Sequence, residues 1–229
     1  MYATIEPLIG FDVPYERLYK RYIKELKSLH VKHVLDIGCG NGKLLRHLMN
    51  EGFEALGIER SATMVERART LGVNASMREL DSFDDESFDA IVAVADVLNY
   101  IPHHELEPFF AHVSRLLKKG GSFLGDINTL YGFEYIADGV MVKEEDGLFL
   151  AVEATFEKPL LETTITLFSK NDTSYTKEQG HITQYFHAQA VFKKIPQLRL
   201  FQAQPITLFS DQEADKTLLH LVKSAPKEN

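Results

Sequence analysis

The sequence predicts an α/β protein: a doubly wound, mostly parallel seven-stranded sheet with an antiparallel β insertion after the fifth strand. Three observations predict it. From His33 to Asn128, short β-branched runs alternate with longer stretches of helical apolar spacing, the pattern of strands joined by crossover helices. A glycine-rich corner, Gly38-Cys39-Gly40-Asn41-Gly42, closes the first of these strands. After Asn128 the rhythm changes to successive strands without helices between them.

The elements follow in order. Tyr15 to Leu29 reads as an amphipathic helix with Leu18, Tyr22, Leu26 and Leu29 on one side. His33–Ile37 is a buried strand, and Leu44, Leu45 and Leu48 then recur at helical spacing. Glu54–Ile58 is the second strand. Ser61 is the N-cap of a helix carrying Met64, Val65 and Ala68. A short third strand lies near Asn74 to Met77. Phe88–Val94 is apolar enough for a central fourth strand. The helix holding Leu106, Phe109, Phe110, Val113, Leu116 and Leu117 stops at Gly120-Gly121, and Ser122–Ile127 is the fifth strand.

Four further strands are expected around Val140–Val142, Leu148–Phe156, Leu161–Phe168 and Ile182–Phe186, with turns at Asp146-Gly147 and Asn171-Asp172. A helix from about Ala188 to Ile195 and two closing strands, Leu198–Ile206 and Thr217–Val222, return the chain to the core sheet. Residues 1–130 and 188–229 are thus expected to form the core, and 131–187 the insertion.

Bulk properties narrow the function. Hydrophobic residues make up 45% of the 229, enough for a core without staples. One cysteine, Cys39, precludes an internal disulfide and fits a reducing compartment. Met1 to Pro7 lacks the basic start and apolar run of a secretory signal, and no stretch approaches the roughly 20 apolar residues of a membrane span. The expected location is cytoplasmic. The net charge of -8 and the isolated basic pairs Lys118-Lys119 and Lys193-Lys194 weigh against a nucleic-acid partner, which needs clustered cations.

The glycine corner carries the chemistry. Glycines let the backbone turn sharply from strand to helix and approach a ligand closely. Glu59 ends the second strand about 20 residues on, where a carboxylate meets ribose hydroxyls. Asp36 stands two residues before the first glycine. A pyrophosphate would be repelled there, whereas a ligand carrying a sulfonium and an ammonium would be attracted. The spacing Gly38-x-Gly40-x-Gly42 also departs from the dinucleotide pattern G-x-G-x-x-G.

Val34 to Gly42, followed by Gly57-Ile58-Glu59, Leu80-Asp81, Phe88-Asp89-Ala90-Ile91 and Leu116 to Gly121, resembles the class I S-adenosylmethionine-dependent methyltransferases over about Tyr15 to Asn128. The resemblance implies a Rossmann-like fold with S-adenosyl-L-methionine as cofactor. By position it places Asp36, Gly38 and Gly40 around the methionine part and Glu59 on the ribose. Leu80 and Asp81 fall at the adenine, and Ala95 and Asp96 beneath the sulfonium. Asp12-Val13-Pro14-Tyr15 is similar to a bacterial branch whose N-terminal helix closes over the cofactor, making Tyr15 a lid residue or, on the other reading, a core aromatic. That branch carries a further tyrosine upstream, where this chain has Ile5.

Methyl transfer is an in-line displacement from an excellent leaving group, so alignment and exclusion of water matter more than a fixed catalytic set. The acceptor is expected to be a small molecule, chosen by the region from about Tyr131 to His187. Its catalytic residues are not determined by the sequence. Asn99 and Tyr100 follow the fourth strand at the ligand edge. His103, with its neighbour His104, and the group His181, Tyr185 and His187 are the other candidates for the acceptor side. No metal-ligand spacing is present. Two alternatives remain at this point: a non-catalytic S-adenosylmethionine-binding module, and another enzyme on the same scaffold, such as an NAD-dependent dehydrogenase.

Overall fold

The computed structural model describes residues 2–224; the ends of the sequence lie outside the described residues. Five helices and eleven strands follow one another as α1 (Tyr2–Ile9), α2 (Asp12–Ser28), β1 (His33–Ile37), α3 (Lys43–Asn50), β2 (Glu54–Ile58), α4 (Ala62–Thr70), β3 (Ala75–Ser76), β4 (Phe88–Ala93), α5 (Leu106–Leu116), β5 (Leu117–Asn128), β6 (Gly139–Glu145), β7 (Leu148–Glu157), β8 (Leu160–Asn171), β9 (Ser174–Tyr185), β10 (Leu198–Ile206) and β11 (Lys216–Lys223), joined by short 3-10 and π segments.

The main sheet has seven strands in the order β10-β11-β5-β4-β1-β2-β3. Only β11 runs against its neighbours, β5 and β10. Alternate residues face opposite layers, as a pleated strand requires. Val34, Ala90, Val92, Leu124 and Leu218 meet Leu18, Tyr22 and Leu26 of α2 and Leu44 and Leu48 of α3. Leu35, Ile91, Phe123 and Leu219 meet Phe110 and Val113 of α5 together with Phe192. Burial on both faces is why these strands read as nearly continuous apolar runs. The order reverses between β1 and β4, and that switch point opens a crevice at the carboxyl ends of the strands.

The second sheet is antiparallel, β6-β7-β8-β9, built from the chain between β5 and β10. Its inner face, with Leu150, Ile165 and Leu167, packs on Ile5 and Leu8 of α1. That helix went unread in the sequence, because eight residues make only about two turns, too short a run for its apolar spacing to register.

Local differences from the sequence reading have physical causes. The helix expected over 188–195 is a 3-10 stretch, Gln189–Lys194, pinned by buried Phe192; Pro196 leaves too few residues to nucleate an α-helix. β9 begins at Ser174, eight residues before the apolar signal, because its first half is wet and held by its ladder to β8. β5 begins at Leu117, directly after α5, with a register irregularity against β4 between Phe88 and Ala90.

Candidate functional site

A cavity of about 800 Å³ lies at the switch point, lined by the ends of β1, β2 and β4, the glycine corner, the start of α5, and α1 and α2 above. Gly38 and Gly40 both adopt left-handed backbone, φ 74° and 53°, a region that only glycine occupies cheaply. A Cβ on Gly38 would sit 2.8 Å from Val97 Cγ2. A Cβ on Gly40 would meet no atom within 4 Å: it would stand in the cavity. The first glycine packs the corner, and the second keeps its space open.

Asp36, at the end of β1, is 2% exposed. Burial, helped by nearby Glu59, pushes its carboxyl well above the usual carboxylate range. Burial, then Asp36 and Glu59, raises the Cys39 thiol in the same direction. Burial, then the carboxylates Asp126, Asp36 and Asp96, does so for the Tyr22 hydroxyl. Burial is the first cause for all three, and the Asp36 and Glu59 carboxylates add a shared negative contribution at the corner, which an incoming cation would relieve.

Glu59 already works as a brace. Its Oε2 accepts from Gly40 N at 3.1 Å and its Oε1 from Ser61 N at 2.8 Å, tying the glycine corner to the cap of α4. A carboxylate has about four acceptor positions, so two remain for ligand hydroxyls. Asp81 stands at the rim, paired with His112 Nδ1 at 2.9 Å.

Of the residues singled out from the sequence, Tyr15, Asp36, Gly38, Gly40, Glu59, Leu80, Asp81, Ala95 and Tyr100 all line this cavity. Three do not. Asp96 turns into the protein and pairs with Lys216, whose buried ammonium is a stronger attraction than an open cleft. His103 is exposed, its ring 6.0 Å from that of His187. His181 points from the outer face of β9, with Nδ1 3.1 Å from Thr164 Oγ1. His187 is buried with Nε2 on the Ile101 carbonyl at 3.0 Å. No residue between 131 and 187 lines the cavity. Its roof is α1 and α2, through Glu6, Tyr15 and Tyr19.

The sequence reading missed Tyr19, Glu6 and His112 in the lining. Tyr19 was within reach, one helical turn after Tyr15. Glu6 was not, because it arrives on α1, where it accepts from Asn41 Nδ2 at 2.7 Å.

Below the cavity floor lies a buried polar cluster. Ala95 and Asp96 are both left-handed, φ 62° and 69°, which costs about 1 kcal/mol or more per non-glycine residue. The Asp126 carboxylate accepts from Ala95 N at 2.9 Å, Asp96 N at 3.2 Å, Tyr22 Oη at 2.8 Å and Lys216 Nζ at 3.2 Å. Lys216 Nζ also donates to Asn128 Oδ1 at 2.8 Å and to Asp96. Asn99 Oδ1 accepts from Asn128 N at 2.9 Å, and Asn99 Nδ2 donates to the Tyr185 carbonyl at 2.8 Å.

The sheet order and the crevice define a doubly wound, Rossmann-like α/β domain, and its acidic corner is ill suited to a pyrophosphate. The comparisons carry this further. Residues 34–121 match the family described as a methyltransferase domain. A Geobacillus sp. (strain WCH70) protein named provisionally as a methyltransferase is 29% identical over 148 residues, 59% of each chain. Among solved structures, an S-adenosylmethionine-dependent methyltransferase from Clostridium acetobutylicum ATCC 824 is similar with a TM-score of 0.80 at 21% identity, over 97% of both chains. The sugar N-methyltransferase KedS8 from Streptoalloteichus sp. ATCC 53650 gives 0.72 at 17% identity, over 98% of this chain and 93% of that one.

Residues 34–121 thus carry a methyltransferase domain on a fold of the class I type, and S-adenosylmethionine is the cofactor that the sequence reading expects there. The matched segment spans about three-fifths of the length of the first curated relatives. The residues present fit that cofactor: a buried carboxylate for its ammonium, free acceptor positions on Glu59 for its ribose, and the open space over Gly40. No helix among the described residues is long and apolar enough to cross a membrane.

Proposed function

We propose that the protein transfers the methyl group of S-adenosylmethionine to a small-molecule acceptor by in-line displacement in this cavity. The observation that carries the reading is the buried Asp36 beneath the open space of Gly40, inside a negative field. Bound there, the cofactor supplies an activated methyl group on a sulfonium. Asp36 holds the ammonium, Gly40 gives room for the amino-acid arm, and Glu59 accepts from the ribose. Leu80 flanks the base, with Asp81 at its amine. Ala95 supplies the floor, and Tyr15 with Tyr19 shuts out water from above.

The size and charge of the cavity support a small acceptor. Six carboxylates line it (Glu6, Asp36, Glu59, Glu79, Asp81 and Glu105) against Arg60, Arg78 and His112. Such a rim disfavours a phosphate backbone and favours a neutral or cationic acceptor. The likeness to KedS8, whose title names a sugar N-methyltransferase, agrees with a small polar acceptor. Tyr100, 47% exposed at the mouth, is the acceptor-side residue that the geometry favours over His103 and His181.

Residues 131–187 influence acceptor choice indirectly in this reading. The inserted sheet holds α1 by Ile5 and Leu8, and α1 brings Glu6 over the glycine corner. Titration with S-adenosylhomocysteine and with NAD tests the reading at its base, and only the former should bind and raise the Tm. Methyl transfer from labelled cofactor should then appear with one class of small acceptors. Transfer to RNA or DNA alone would overturn the acceptor assignment.

A further inference from the structure

Lys216 belongs to none of the cofactor motifs. It opens β11, the one antiparallel strand of the main sheet, well beyond the last motif residue, Gly121, and its side chain is 1% exposed. A lysine so deeply buried is expensive unless every one of its protons is answered. Here all three have partners: Asp96, Asp126 and Asn128.

The carboxylate it shares, Asp126, is itself fully buried and accepts from both Ala95 N and Asp96 N. Those two residues form the left-handed turn after β4. Neither position is glycine, and Ala95 in particular is strained in that backbone. What holds it is the pair of hydrogen bonds that Ala95 N and Asp96 N donate to Asp126. Asp126 and Asp96 in turn are like charges side by side in the interior, and Lys216 is the cation between them.

Ala95 lines the cavity and Val97, two residues on, packs against Gly38 at the cofactor corner. The same Asp126 accepts from Tyr22 on α2, the helix that carries Tyr15 and Tyr19 into the roof. One ammonium therefore stabilises the carboxylate that fixes both the floor and the helix above it.

We propose that Lys216 is a positioning residue for cofactor binding, acting through Asp126 to hold the Ala95–Asp96 turn in its left-handed form. This rests on the cavity being the S-adenosylmethionine site. Lys216 touches neither cofactor nor acceptor; it works through the backbone that does. Loss of the cation leaves Asp96 and Asp126 facing each other, loosens the two N–H hydrogen bonds to Asp126 and lets the turn relax toward ordinary backbone.

The test is a set of variants titrated with S-adenosylhomocysteine by calorimetry, well below each variant's Tm. Lys216→Met should bind at least tenfold more weakly than the wild type. Adding Ala95→Gly should recover a substantial part of that loss, because glycine takes a φ near 62° without strain. A role confined to general stability would lower the Tm, leave affinity within twofold, and gain nothing from the glycine. Either result overturns the proposal.

Tyr22→Phe guards against a Lys216→Met chain that fails to fold. It removes one donor to Asp126, leaves the charges in place, and should weaken binding several-fold. If Tyr22→Phe binds as the wild type does, the proposal fails. The wild-type titration separates the two levels: absence of binding there refutes the site, whereas wild-type binding that survives in the variants refutes only the role of Lys216.

Discussion

Asp36 illustrates how one buried carboxylate links stability to ligand binding. Its pKa in the folded protein lies above that of an unfolded aspartate, because burial and then Glu59 disfavour the charge. Ionisation therefore costs the folded state, and that cost is fully present above the folded pKa. Asp36→Asn should raise the Tm of the ligand-free protein at neutral pH while weakening S-adenosylhomocysteine, by roughly tenfold or more for a lost charged hydrogen bond. Wild-type affinity should fall on acidification, starting at a pH above the ordinary carboxylate range, and Asp36→Asn should be flat there. Calorimetry across pH checks both. Gly40→Ala should bind S-adenosylhomocysteine much more weakly, with a stability loss of only about 1–2 kcal/mol for a left-handed alanine, read from paired binding and urea titrations.

At the scale of elements, two of the joints that attach the inserted sheet can be tested separately. One is Asn99, buried after β4, which bonds β5 through Asn128 N and β9 through the Tyr185 carbonyl. Asn99→Ala leaves a buried amide and a buried carbonyl without partners, and should cost about 2–4 kcal/mol in urea unfolding. The other is α1, held on the sheet by Ile5 and Leu8. Ile5→Ala should cost about 2–5 kcal/mol of that docking. It should appear first as faster proteolysis within residues 2–11, since α1 can undock while the core stays folded. Weaker S-adenosylhomocysteine binding should accompany it, because Glu6 is withdrawn from Asn41.

At the scale of the molecule, two buried histidines set an acid limit. His187 and His220 are both held below the ordinary histidine value, chiefly by burial. A histidine depressed in the folded state stabilises it fully above the unfolded value, near 6.5, and that contribution is lost as pH falls toward the folded value. The histidine contribution to the Tm of the ligand-free protein should therefore decline as pH drops below about 6.5, opposed by the relief of Asp36 on acidification. His187→Gln should remove part of that decline, so its Tm should fall less on acidification than that of the wild type. Equal pH slopes for the two would contradict the assignment.

The architecture was legible in the sequence where period and punctuation were strong. The alternation from His33 to Asn128 fixes a wound sheet, because strands buried on both faces must be apolar throughout. The corner from Asp36 to Gly42 with Glu59 marks the cavity end of the sheet, because positive φ and a carboxylate two residues earlier are local features. These are properties of short segments, so they can be read in order along the chain.

What only the folded chain decided depends on residues far apart. The sequence could not show that Asp96 turns inward, because its partner Lys216 lies 120 residues away. Nor could it show that Glu6 on a short helix completes the roof, or that His181 faces solvent. Local pattern records which face of an element is buried; tertiary packing alone determines which charges meet once it is.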